Sequence, residues 1–99
     1  MNINYFMNKA IDEAKKAYKL NEVPIGAILI DNTSNKIISS QHNQINNLNN
    51  ATKHAEMMII EESCLKLKSK LLLDTTMFVT LEPCAMCTAA ISEVRIKKI

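Results

Sequence analysis

The 99-residue sequence is short of the residues that usually punctuate a chain: it has one glycine, two prolines and a single arginine. No apolar run approaches the ~18 residues needed to cross a bilayer as a helix, so a membrane span is not expected. Met1 is followed by Asn2, Asn4 and Asn8 rather than by a basic patch and an apolar stretch. No secretory leader is therefore expected, and the cytoplasm is the expected compartment. Three cysteines in that setting do not make a disulfide scaffold, and Cys84 and Cys87 are spaced as Cys-x-x-Cys, which points to metal or redox chemistry. A net charge of +2 is too small to nominate a nucleic-acid partner, which shows itself as clustered Lys and Arg. The wealth of Lys, Asn and Ile follows from AT-rich coding alone, so asparagine-rich stretches carry little information by themselves.

What is present is apolar content of 47%, enough for a folded core. The length suits a single domain over residues 1–99 that hides somewhat more than ~60% of its unfolded surface, so stability is modest unless a metal or partner adds to it. From Tyr5 to Leu20, Met7, Ala10, Ile11, Ala14, Ala17 and Tyr18 recur at three and four, the period of an amphipathic helix. Ile25–Ile30 and Lys36–Ser40 read as a hairpin around the turn residues Asp31–Asn35. Gln41–Asn50 reads as a polar loop, and Thr52 as the cap of a helix from about Lys53 to Leu67. Cys64 shares helical register with Met57, Ile60 and Leu67 and is expected in the core. Met77–Leu81 reads as a buried strand, Pro83 as the first turn of a helix to about Glu93, and Val94–Ile99 as a further strand. This order predicts an α/β domain with a mixed sheet, an N-terminal hairpin and parallel later strands joined through helices.

Two short motifs carry the chemistry. Catalytic zinc takes three protein ligands and keeps a fourth position for water. His54, Cys84 and Cys87 supply three, with the cysteines one helical turn apart on one face. Both motifs fall at expected helix starts, where the positive dipole end lowers thiol pKa. Glu56, two residues beyond His54, is poorly placed to share its face and can lie beside the ion as a proton carrier. His-x-Glu together with Pro-Cys-x-x-Cys resembles the signature of zinc base deaminases, in which the Glu is acid and base and not a ligand. Two other readings are a closed structural site with His42 as fourth ligand and Glu56 merely solvated, and a redox Cys-x-x-Cys. The second leaves His54 and Glu56 unexplained.

The chain as a whole resembles the bacterial tRNA-specific adenosine deaminases of the cytidine deaminase-like superfamily. The resemblance rests on Asn21-Glu22-Val23-Pro24-Ile25-Gly26-Ala27, on Ala51-Thr52-Lys53-His54-Ala55-Glu56-Met57, and on Leu81-Glu82-Pro83-Cys84-Ala85-Met86-Cys87 with Ala90-Ile91 and Arg95-Ile96. The last two are shared with other deaminases, including guanine deaminases; the first is the more discriminating. The resemblance implies a three-layer α/β/α sandwich, a homodimer, and hydrolysis of adenosine to inosine at the wobble position of a tRNA anticodon stem-loop. It implies one zinc per chain on His54, Cys84 and Cys87, and Glu56 as catalytic proton shuttle. It further implies a base pocket formed by Asn43, Ile25 and the backbone of Ala55. Against this, Asn43 is equally one more asparagine of a biased loop, and Ile25 equally a core residue. Asn50-Ala51-Thr52 replaces the family's Asp-Pro-Thr, and Ala89 a glycine common after the second cysteine. The sequence ends at Ile99, so the sheet is expected to be incomplete after its fourth strand. An inactive remnant and a deaminase of a free base such as guanine are the alternatives.

Overall fold

The computed structural model describes residues 2–99 in the order α1 (Ile3–Lys19), β1 (Gly26–Asp31), β2 (Ile37–His42), α2 (Ala55–Leu67), β3 (Thr75–Val79) and α3 (Ala85–Glu93). The three strands form one sheet in the order β2-β1-β3, with β1 antiparallel to both neighbours. Central β1 is buried on both faces, which is why Ile25–Ile30 reads as a continuous apolar run. The alternation of its side chains splits the core in two. Ile28 and Ile30 pack with Phe6, Ala10 and Phe78 under α1. Ala27 and Leu29 pack with Met77, Ala55, Ile59, Ile60 and Ile91 under α2 and α3. Helices thus cover both sheet faces, as the three-layer expectation requires.

Helix α1 starts where Asn2 Oδ1 accepts the Tyr5 N–H at 3.0 Å. Its buried stripe is Phe6, Ala10, Glu13, Ala14 and Ala17, whereas Ile11 and Tyr18 are exposed. The helix is turned slightly from the orientation that hydrophobicity alone favours. The reason lies in the only glycine: a Cβ on Gly26 would stand 2.2 Å from the Ala10 carbonyl oxygen and 2.4 Å from the Ala14 nitrogen. Backbone meets backbone there, so alanines face the strand and bulkier residues turn outward.

Several expected boundaries shift: β2 runs on to His42, β3 spans Thr75–Val79 rather than Met77–Leu81, and Pro83 precedes α3, whose N-cap is Cys84. Helix α2 is capped at His54 rather than Thr52, whose N–H and hydroxyl instead bond Asn50 Oδ1 at 2.9 and 2.7 Å. The expected strand Val94–Ile99 is reduced to one parallel bridge, Thr76 to Lys98. Arg95 adopts φ 63°, a left-handed turn that no strand tolerates, so only the end of the segment reaches β3, with the Met77 N–H on Lys98 O at 2.8 Å. The parallel relation expected through the last helix is present at that bridge. Among the described residues no helix is long and apolar enough to cross a membrane.

Candidate metal centre

The starts of α2 and α3 converge on the side of the sheet that carries Ala27 and Leu29. His54 is the N-cap of α2 and Cys84 the N-cap of α3, and Cys87 lies in the first turn of α3. The His54 side chain does not bond its own helix. The imidazole turns to the sulfurs instead: His54 Nδ1 lies 3.7 Å from Cys84 Sγ and 3.6 Å from Cys87 Sγ. All three ligand atoms fall within 4.8 Å of one another. A tetrahedral zinc with Zn–S about 2.3 Å and Zn–N about 2.0 Å spans a sulfur-to-nitrogen edge of about 3.5 Å. The observed edges match, so His54, Cys84 and Cys87 can hold zinc through Nδ1 and two sulfurs. His42 is not part of this group. Its place outside the cluster removes the four-ligand reading, and its Nδ1 lies 2.9 Å from the Asn43 carbonyl oxygen.

The two thiols differ sharply. Cys84 is exposed and Cys87 buried. Backbone N–H groups of Cys87 and Met86 at the open helix end hold the Cys84 thiol below its ordinary value, against burial and the Glu56 charge. Burial, and next the Glu56 carboxylate, push Cys87 up to about 12. A thiol so reluctant to ionise would take its thiolate character from a cation held there.

Glu56 occupies the second position of α2, is only 4% exposed, and has no salt bridge to any Lys or Arg among the described residues. Its charge acts on both sulfurs, which puts the carboxylate near Cys84 and Cys87. The other named residues form a continuous chain of contacts. Asn43, 3% exposed, donates its backbone N–H to Ile25 O at 3.1 Å and accepts the Ala55 N–H on Oδ1 at 2.7 Å. It thereby supplies from a loop the cap that His54 forgoes. The Ala55 N–H is consequently not free for a ligand, and Ile25 is half-buried against the α2 side of the core. A separate apolar groove outside α1, lined by Ile11, Ala14, Tyr18 and Pro24, contains none of these groups.

Glu22 is the residue that motif reading passed over. It is 5% exposed, and its carboxylate accepts the N–H groups of Asn46 at 3.0 Å and Asn47 at 2.7 Å and the Asn47 side-chain amide at 2.6 Å. The available signal was an acid just past a helix end, outside the periodic face of the helix.

A zinc site with two convergent helix starts and an adjacent buried carboxylate is the arrangement of a hydrolytic metal centre. The model of the cytidine and deoxycytidylate deaminase zinc-binding region matches residues 1–99, and the chain belongs to that family. It is 46% identical over 93 residues to a tRNA-specific adenosine deaminase of Rickettsia bellii, covering 94% of this chain and 64% of that protein. It resembles the structure of a tRNA:A34 deaminase that performs A-to-I editing at the wobble position, with TM-score 0.92, 41% identity, 97% of this chain and 72% of the other. It also resembles guanine deaminase from Bacillus subtilis, with TM-score 0.93, 30% identity, 99% of this chain and 62% of the other. The chain spans about 64% of the length of the Rickettsia relative.

Proposed function

We propose that this chain carries the zinc deaminase domain, over residues 1–99, of an enzyme that hydrolyses adenosine to inosine and ammonia at the wobble position of tRNA. The observation that carries the reading is Glu56, a buried carboxylate with no Lys or Arg partner among the described residues, near three side chains whose ligand atoms cluster at zinc spacing. Zinc, when bound, acidifies the attacking water. Glu56 accepts one proton from that water and passes it to the ring nitrogen beside the carbon under attack, then takes the remaining proton from the new hydroxyl group and delivers it to the amine, which leaves as ammonia when the C–N bond breaks. Asn43 keeps its Oδ1 on Ala55 and presents its side-chain N–H groups to an acceptor on the flipped base, with Ile25 as an apolar wall. Identity of 46% to a tRNA-specific adenosine deaminase favours adenosine in RNA, while the guanine deaminase likeness keeps free guanine as the competing substrate. The reading also carries a cytoplasmic homodimer, checked by light scattering.

The test measures zinc content, inosine formation on an anticodon stem-loop, and ammonia release from free guanine. Inosine on the stem-loop with no guanine turnover is expected. Glu56→Gln should lower the rate by about 100-fold to 10,000-fold while zinc is retained. Full activity in that variant sinks the proposed role, and guanine turnover alone replaces the substrate.

A further inference from the structure

We infer that Glu22 is a positioning residue that sets the base pocket from outside it, by clamping the tip of the loop whose base holds Asn43. The inference deepens the function proposed above, since it takes Asn43 as the base-contacting group. Residues 44–53 leave β2 and return to α2, and the Gln44 N–H on Lys53 O at 2.9 Å closes the neck of this loop. Asn43 stands at that neck, tied to Ile25 on one side and Ala55 on the other.

From outside the loop the tip is held by Glu22 and the Asn21 carbonyl, while the Leu48 N–H on Gln44 O at 2.9 Å and the Asn50 N–H on Ile45 O at 3.0 Å brace it from within. Glu22 is itself fixed by its N–H on Ala17 O at 2.9 Å, at the end of α1. From there its two carboxylate oxygens receive three N–H groups of Asn46 and Asn47, and the Asn21 carbonyl receives a fourth from the Asn46 side chain at 3.1 Å. No Lys or Arg pairs with Glu22 among the described residues. Each oxygen therefore faces donors only, which suits a carboxylate and no other side chain of that length. Glutamine would turn an NH2 group toward backbone N–H groups and leave buried donors unmatched. A loop freed at its tip lets its neck move, and the neck carries both the Asn43 amide and the cap on α2.

The test is amide exchange and kinetics on Glu22→Gln in the zinc-loaded chain. Exchange at Asn46 and Asn47 should rise, and exchange at Ala55 should rise about tenfold although Glu22 does not touch it, while Ile28 and Leu29 in β1 keep their protection. An unchanged Ala55 amide, or an equal rise in β1, overturns the inference, since the first shows no coupling and the second general loosening. In kinetics, kcat/KM on the stem-loop should fall about tenfold with zinc content unchanged, and the same substitution in an Asn43→Ala background should change it less than about twofold. Additive losses overturn the route through Asn43. Should Glu22→Gln not fold, Asn47→Ala removes one of the three bonds at an exposed position, with a rise of about threefold expected at Ala55 and no rise overturning the inference. If the unaltered chain makes no inosine, the proposed function fails while the exchange result still decides the coupling.

Discussion

Lys68 ends α2 with φ 50° and ψ 44°, a conformation that costs a residue bearing a Cβ roughly 1 kcal/mol. Among the described residues five others have positive φ, none of them glycine: Asn21, Asn35, Asn49, Asp74 and Arg95. Three of the six are asparagines, the side chain that tolerates this region best. An asparagine surplus that compositional bias explains thus does work that glycine does elsewhere. Lys68 is exposed and makes no salt bridge among the described residues. Lys68→Gly should therefore raise stability by about 0.5–1 kcal/mol in urea unfolding, the relief of strain exceeding the added chain entropy. A loss of stability would show that the αL turn is not strained in solution.

At the scale of elements, α1 and β1 meet through Gly26. Gly26→Ala forces a methyl into the Ala10 and Ala14 backbone, which cannot move without displacing the helix. The expected cost is about 3 kcal/mol, at the upper end of overpacking, and a fall in Tm of more than about 10 °C. Calorimetry checks it. The clamp between α1 and the loop has a pH signature of its own. Burial works to raise the Glu22 pKa, but the Asn46 and Asn47 amides outweigh it, with help from the facing His42, and the carboxyl lies below its ordinary value of 4.5. A depressed folded pKa means that the carboxylate stabilises fully above the ordinary value and loses its effect as pH falls through the folded one. The stability gap between the unaltered chain and Glu22→Gln should therefore be largest above about pH 5 and close on acidification below about 4.5. A gap that does not depend on pH would remove the charge from the explanation.

Across the whole molecule, the metal centre joins two elements that pack against each other, α2 and α3, with His54 and the cysteines 30 and 33 positions apart. Zinc bound there ties the two helix starts together and stabilises the folded chain through binding. Free zinc at 100 times its Kd should add about 2.7 kcal/mol, and chelation should lower Tm accordingly, with α2, α3 and the Cys87 neighbourhood losing amide protection before β1. Chelation that leaves Tm unchanged would show that no metal contributes to the fold.

The residues of the candidate metal centre and the nearby Glu56 were legible in the sequence because ligation needs particular atoms at short spacing: Cys-x-x-Cys puts two sulfurs on one face of a helix turn, and His-x-Glu puts a carboxylate in the same turn as the imidazole but on a different face. The runs of α1, β1 and α2 were legible for a similar reason, since periodicity is local. Other features were not. The cap of α2 comes from Asn43, because His54 is turned toward the sulfurs. The last six residues read as β-prone, yet Arg95 turns left-handed and leaves one bridge. The outward turn of Ile11 and Tyr18 follows from a backbone contact across 16 residues of chain, between Ala10 and Gly26. By itself the sequence determined which atoms are available for zinc and proton transfer, because their chemistry is a property of residue type and short spacing. Only the tertiary structure decided that Asn43 caps a distant helix and that Glu22 grips the loop, because hydrogen bonds between remote segments are set by how the layers pack.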